Sequence, residues 1–280
     1  MNKVILYYKF VPVPDPETTM LWQRELCEKL KLRGRIIVSQ HGINGTLGGD
    51  MEDLKAYVRA MNLHSRFKGT EYKWSMGAGD DFPKLSVKVR DELVTLAPGE
   101  EFDVFDGGTA LRPKAWHKLL TENPDMPVLD ARNEYESDIG KFRGAITPKI
   151  RAFKEIHETL DQLDKTQPIA TYCTGDIRCE YLSAYMKHVG FEEVYHLDGG
   201  IVKYGQEFKD QGLWDGKCYV FDKRMNIEFE PDTPDIATCF YCDKPTSAQV
   251  NCRGAGCLRH MVVCEECAGS NPLLCANCTS

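Results

Sequence analysis

Eight of the twelve cysteines fall after Thr238, and this crowding constrains the fold more than any other feature of the chain. They run as Cys239-x2-Cys242, Cys252-x4-Cys257, Cys264-x2-Cys267 and Cys275-x2-Cys278. A Cys-x2-Cys pair puts two thiolates on one tight turn, spaced to share an edge of a tetrahedral metal shell. Eight sulfurs suffice for two zinc sites of four thiolates each. The segment is too short to bury a large core, so cross-links must stabilise it, as metal sites or as disulfides. The N-terminus, Met1 to Phe10, has a short apolar run with no small-residue cleavage site. No later stretch approaches the roughly 18 apolar residues a membrane span needs. A cytoplasmic, membrane-free protein is therefore expected, and in that reducing compartment clustered cysteines favour zinc over disulfides. His260 is left out of the ligand set, because a lone histidine between cysteines is more often a surface residue.

The chain has 280 residues, enough for two or three domains with separate cores, and a formal net charge of −7. That charge disfavours a protein that coats nucleic acid by bulk electrostatics, and no DNA partner is expected, although an acidic molecule can still present a local basic face. Residues 1–97 read as β-α-β-β-α-β. The β-rich Lys3–Lys9 is followed by an apolar helical stripe between Glu17 and Leu32, ended by Gly34. Arg35–Ser39, the turn-rich Gly42–Gly48 and a helix over Met51–Met61 come next. Lys84–Arg90 alternates polar and apolar residues, as a half-buried fourth strand requires. This order predicts a ferredoxin-like α+β sandwich. Gly42, Gly45, Gly48 and Gly49 could cradle a phosphate, but Asn44-Gly45 reads better as a hairpin turn. Lys84, Lys88 and Arg90 share one strand face and form a candidate phosphate-contacting stripe, a pattern that solvated sheet faces also show.

In residues 98–222 strands alternate with helices: a helix over Leu111–Leu120, a strand at Pro127–Arg132, a helix over Ala152–Leu163, strands at Ile169–Tyr172 and Glu193–His196, and helices over 179–189 and 201–210. This pattern predicts an α/β domain with a parallel sheet, whose chemistry collects at the carboxyl ends of the strands. Asp130, Arg132 and Cys173 lie at such ends. The stretch Cys173-Thr174-Gly175-Asp176-Ile177-Arg178 delivers a cysteine from a strand to a tight loop before a helix, where backbone N–H groups, the helix's positive end and Arg178 all favour the thiolate. The competing reading is an inert buried thiol. Cys179, one residue into the helix, is assigned to packing, with a resolving disulfide as the alternative. Asp130 and Arg132 are expected to brace the loops by an ion pair.

Val128–Glu136 with Gly140–Ala145, then Cys173–Arg178, then His196-Leu-Asp-Gly-Gly-Ile201 together resemble a rhodanese domain. The resemblance implies that Cys173 is the nucleophile or persulfide carrier and that the six-residue loop Thr174 to Arg178 with Cys173 is an anion cradle. Rhodanese-like phosphatases usually have a longer loop, which argues against phosphate-ester chemistry. With Leu32–Thr46, Tyr219-Val-Phe-Asp-Lys-Arg224 and the cysteine-rich tail, the full chain is similar to the bacterial rhodanese-like tRNA uridine hydroxylases. That likeness implies hydroxylation at C5 of the wobble uridine in the tRNA anticodon loop, with molecular oxygen as co-substrate and Cys173 required. The family usually reads Cys-Thr-Gly-Gly-Ile-Arg-Cys-Glu-Lys; this chain has Asp176 and Tyr181 at the second glycine and the lysine. An aspartate in the cradle is expected to oppose both a bound anion and the thiolate, by roughly 1 kcal/mol or more at contact range.

Residues 223–280 comprise an acidic, proline-containing connector and a zinc-ribbon-like tail. Arg253, Arg259 and His260 are available there to RNA, and Phe240 and Tyr241 to an unpaired base; a purely structural knob is the alternative. Two other functions stay open from the residues. One is a sulfurtransferase carrying a persulfide on Cys173, and the other is a non-catalytic RNA- or protein-binding module with a degenerate loop.

Overall fold

The computed structural model describes residues 1–279, which form two compact units. The first comprises Met1–Gly107 with Glu180–His188, and the second comprises Gly108–Cys179 with the chain from Val189 onward. In the first unit β1 (Asn2–Phe10), α1 (Pro16–Lys29), β2 (Arg33–Ser39), β3 (Gly42–Asp50), α2 (Met51–Leu63), β4 (Tyr72–Met76) and β5 (Leu85–Val89) follow one another. Aspartates start both helices: Asp15 accepts from the Thr18 N–H and Asp50 from the Glu52 N–H, each at 2.9 Å, satisfying donors that a helix start leaves orphaned.

The sheet order is β4-β1-β3-β2-β5. The first four strands pair antiparallel and, with the two helices, make the expected ferredoxin-like arrangement. Its fourth strand is Tyr72–Met76, however, and Leu85–Val89 is a fifth that joins β2 in parallel at the edge. Tyr72 and Trp74, two residues apart on one face, pack on the core and bring β4 into the sheet. Ile5, Tyr7, Ile36 and Leu47 of the sheet meet Cys27, Leu54, Tyr57 and Met61 of the helices in that core. The hydroxyls of Tyr7 and Tyr57 and the Gln23 amide bond to one another there, so these buried polar groups are satisfied.

Asn44-Gly45 is not a turn. The β2–β3 hairpin turns at Gln40-His41, and Gly45 lies in mid-strand opposite Tyr7. A methyl group on Gly45 would stand 2.3 Å from the Tyr7 ring, so the glycine makes room for an aromatic side chain rather than a bend.

The second unit runs β6 (Thr109–Leu111), α3 (Pro113–Glu122), β7 (Val128–Asp130), α4 (Glu134–Ser137), β8 (Gly140–Phe142), a 3-10 turn at Phe153–Ile156 leading into α5 (His157–Leu160), β9 (Ile169–Tyr172), α6 (Ile177–His188, whose residues from Glu180 count with the first unit), β10 (Val194–Leu197) and α7 (Gly200–Phe208). Then come β11 (Trp214–Gly216), β12 (Cys218–Tyr219), β13 (Asn226–Ile227), β14 (Gln249–Asn251), β15 (His260–Val262) and α8 (Glu265–Ser270). The order β6-β10-β9-β7 with every pair parallel is the expected parallel sheet. The helix predicted over Ala152–Leu163 shrinks to two short turns, which suffice to bury Phe153, Ile156 and Leu160. Trp116, Phe142, Tyr172, Tyr204 and Trp214 dominate this unit's core, with Phe142 edge-on to Tyr172 at 4.7 Å. No helix among the described residues is long and apolar enough to cross a membrane.

The position of Gly45 predicts a stability effect without any change at a catalytic group. Gly45→Ala is expected to cost about 1–3 kcal/mol, as overpacking does when neither backbone nor ring can retreat. Urea unfolding of the full chain measures it, and a midpoint equal to the unsubstituted protein's would contradict the close-packing account.

Candidate active site

Because β9 is flanked by β10 and β7 in parallel register, the carboxyl ends of these strands bring Cys173, His196 and Asp130 to one edge of the sheet. Cys173 leaves β9 with its side chain 1% exposed. Its sulfur accepts the Asp176 N–H at 3.1 Å, at the entry to α6. Burial pushes the Cys173 thiol up; a hydrogen bond with the Cys179 thiol and the positive charge of Arg178 pull it down, against the Asp176 carboxylate. The lowering influences win, and the thiol titrates at about 6, from an ordinary 9.0. Cys179 is pushed the other way, by its own burial and by the neighbouring sulfur, so it stays a thiol and serves as a proton donor to the Cys173 thiolate. Packing alone, the role read for Cys179 from the sequence, leaves this out.

Arg178 does not point an open guanidinium into the loop. Both its terminal nitrogens donate to Glu136, at 2.7 Å each, and Glu136 is fully buried. Burial raises the Glu136 carboxyl, yet Arg178 outweighs it and holds the group below its ordinary range. Glu136 also accepts the Asn133 N–H at 3.1 Å, at the start of α4. Sequence reasoning assigned Glu136 no role, although Asn133-Glu-Tyr-Glu136 has the spacing of a capping box, the one signal that could have singled it out.

Asp130 and Arg132 form a fully buried bidentate pair, with Nε–Oδ1 at 2.9 Å and Nη2–Oδ2 at 2.6 Å. Arg132 also donates to the carbonyls of Glu136 and Gly140, and the Tyr172 hydroxyl donates to Asp130 at 2.7 Å. The pair therefore joins β7, β9 and the turn before β8.

Asp176 occupies its place at φ +83°, the left-handed region in which a glycine would be unstrained. Its carboxylate does not project into the cradle. It lies between His196 Nδ1, at 2.8 Å, and the Gly199 N–H, at 3.1 Å. Its charge still opposes the thiolate, as expected, but the side chain doubles as a tie between the cysteine loop and the end of β10. Gly200, at φ +67°, completes the junction: a methyl group there would meet the Cys173 and Thr174 carbonyls at 2.6 Å. Those carbonyls instead accept the N–H groups of Ile201 and Val202, in the first turn of α7. In the first unit Tyr181 donates to Glu92 at 3.0 Å and meets Phe102 edge-on, so the tyrosine that replaces a lysine has an apolar packing partner.

In the tail the eight cysteines gather into two groups, Cys239, Cys242, Cys264 and Cys267, and Cys252, Cys257, Cys275 and Cys278; the sulfurs of each lie within 4.8 Å of one another. The first pair joins the third and the second joins the fourth, a crossed arrangement that spacing did not specify. Four sulfurs at about 2.3 Å from a tetrahedral zinc stand about 3.8 Å apart. Cys242–Cys264 and Cys257–Cys275 are separated by 3.8 Å. The Cys239 sulfur accepts the Cys264 N–H, and the Cys252 sulfur accepts those of Gly254 and Cys275, contacts that favour thiolates. The residues thus fit a zinc ion at each group. Phe240, with Arg259 and His260, lines an open cleft of about 600 Å³. The Tyr241 hydroxyl bonds to the carbonyl and the N–H of Leu274, and His260 stacks on Tyr135 at 4.2 Å.

A parallel sheet with a thiolate-stabilising cysteine loop at the end of its central strand, closed by a glycine pair after the next strand, defines a rhodanese-type domain. Family models match accordingly: a UPF0176 acylphosphatase-like domain over residues 2–93, a rhodanese-like domain over 113–207 and a rhodanese C-terminal segment over 215–279. The chain is 46% identical over 287 residues to a protein of Corynebacterium urealyticum named tRNA uridine(34) hydroxylase, covering 99% of this chain and 97% of that protein. A protein of the same name from Corynebacterium kroppenstedtii is 47% identical, covering 97% and 95%, and one from Pseudarthrobacter chlorophenolicus is 46% identical, covering 96% and 95%. The chain belongs to the tRNA uridine(34) hydroxylase family.

The Cys173–Cys179 pair predicts a pH profile. The thiolate is the reactive form, so alkylation of Cys173 by iodoacetamide is expected to accelerate as pH rises, with a midpoint near 6. Cys179→Ala is expected to move that midpoint upward, read by mass spectrometry of the Cys173 peptide. An unmoved midpoint would exclude Cys179 as the proton donor.

Proposed function

We propose that this chain hydroxylates C5 of the wobble uridine of tRNA, with Cys173 as the catalytic nucleophile. The observation that supports the role of Cys173 is the place of its buried sulfur at the end of β9, accepting the Asp176 N–H at 3.1 Å at the entry to α6, in surroundings that lower the thiol to about 6. The substrate is supported by the near-full-length likeness to proteins named for tRNA uridine(34). In this scheme the thiolate adds to C6 of the uracil, and the electron pair displaced from the C5–C6 bond makes C5 nucleophilic. C5 then takes an oxygen atom from molecular oxygen, whose other atom leaves as water with electrons from an external reductant. Loss of the C5 proton and of the sulfur from C6 restores the ring and the thiolate. The N–H of Asp176 and the Cys179 thiol receive the sulfur when it leaves as an anion. Thr174, Gly175, Ile177 and Arg178 shape the loop around it, while Asp130 and Arg132 brace that loop from below. Cys173 is almost wholly buried, so a base must be extruded from the anticodon loop and the covering segments must part before it reaches the sulfur.

Within this reading residues 1–97, 98–222 and 223–280 are the working segments, and the likeness to tRNA-modifying proteins supports a cytoplasmic location. Each tail cysteine group would hold one zinc ion through its four thiolates, and the chemistry that ion would supply there is structural. Metal analysis of the purified chain is expected to give two zinc ions per molecule, with one lost in Cys242→Ser and one in Cys257→Ser. A zinc-free protein with the same tail, or loss of both ions in either variant, would contradict two separate sites.

The function is tested by nucleoside mass spectrometry of tRNA from a strain lacking its own hydroxylation activity and expressing this chain. 5-Hydroxyuridine is expected to return, to vanish in Cys173→Ser, and to persist or rise in Asp176→Gly, which removes both the φ strain and the opposing charge. Full activity of Cys173→Ser would sink the nucleophile assignment. Failure of the unsubstituted and Asp176→Gly chains alike, with thiosulfate-dependent persulfide on Cys173, would replace hydroxylation by sulfur transfer.

A further inference from the structure

The Tyr219-Val-Phe-Asp-Lys-Arg224 segment has no part in the scheme above, yet its geometry is closely determined. It forms the tip of the hairpin between β12 and β13, where Val220 N–H donates to the Met225 carbonyl and Met225 N–H to that of Asp222. Asp222, buried, grips Arg224 through both its backbone N–H at 3.0 Å and its Nε at 2.7 Å. Met225 adopts φ +62°, a conformation a side chain accepts only under such constraint. All this holds one residue in place, and that residue is an apolar ring left 48% exposed: Phe221. Its ring lies 5.7 Å from the guanidinium carbon of Arg178, the arginine of the cysteine loop, and meets Tyr219 edge-on at 5.2 Å.

A large exposed aromatic ring on a flexible tip would be an ordinary surface residue. Here an ion pair with a buried carboxylate and a left-handed backbone residue fix it against Arg178 of the cysteine loop, and a fixed ring loses little freedom when a flat ligand stacks on it. We propose that Phe221 is the stacking platform for a base of the single-stranded RNA loop presented to Cys173, with Arg178 fixing its orientation from the protein side. This rests on the tRNA reading above. Stacking on an aromatic ring is tolerant of base identity, so Phe221 contributes to affinity and placement, and the Cys173 loop selects the reacting base.

The experiment is binding of a fluorescein-labelled anticodon stem-loop RNA with uridine at the wobble position, followed by anisotropy for the full-length chain and for Phe221→Trp, Phe221→Leu and Phe221→Ala. Loss of a stacked base is expected to weaken Kd roughly 10-fold or more in both the leucine and alanine variants, with tryptophan at least as tight as phenylalanine. The pH midpoint of Cys173 alkylation is expected to be the same in all four proteins. If leucine binds like phenylalanine, apolar bulk suffices and the platform is refuted. If the alkylation midpoint moves together with Kd, Phe221 acts through Arg178 and the proposal falls as well. Absence of binding by the unsubstituted chain would instead remove the tRNA reading on which the proposal stands.

Discussion

The paired charges of Glu136 and Arg178 are the interaction on which the site depends. Glu136 comes from α4, just after β7, and Arg178 from the first turn of α6, just after β9. Each ion alone would lose several kcal/mol of hydration on burial, so they persist inside only as a bidentate pair. Their union locks the cysteine loop to the neighbouring strand's connection. It also leaves a guanidinium near Cys173 that is compensated rather than free to attract anions. The Glu136 carbonyl accepts from Arg132, so the second buried arginine–carboxylate pair ends at the same short helix. Two ion pairs thus meet at α4, and the sulfur's low proton affinity follows from the Arg178 charge of one of them together with the Cys179 thiol.

Asp176 illustrates how local cost and tertiary gain are weighed. A left-handed backbone costs a non-glycine residue about 1–2 kcal/mol. Hydrogen bonds to a charged group contribute about 1.5–3 kcal/mol each when buried, and the Asp176 carboxylate makes two, to His196 and Gly199. The ties exceed the strain, so the loop keeps its shape with an aspartate in a glycine position. What the aspartate does not remove is its own negative charge beside the thiolate. The Cys179 and Arg178 contributions exceed that opposition, which is why the sulfur still titrates low.

The tail follows a different logic. Its core is small and largely made of the cysteines themselves, with Met261, Val263 and Leu273. Linking the first cysteine pair to the third and the second to the fourth interleaves the two groups, so neither half of the segment can unfold without disturbing both. The hairpin of β14 and β15 lies between the linked pairs and inherits its position from them.

Much of this was legible in the chain itself. Alternating apolar runs and helical stripes determined the parallel sheet and the βαββαβ order, because side-chain period follows secondary structure. The position of Cys173 between an apolar strand and a helix determined a reactive cysteine, and the tail spacings determined a capacity for metal. Contacts distant in sequence were not legible. Gly45 read as a turn because the ring of Tyr7, which it accommodates, lies 38 residues away across the sheet. Glu136, His196 and Phe221 gained their roles only when folding set them against Arg178 and Asp176, and the pairing among eight equivalent thiols was decided by chain path rather than spacing. Periodicity is a local property written into neighbouring residues, whereas charge pairing and close approach depend on which segments three-dimensional packing brings within a few ångströms.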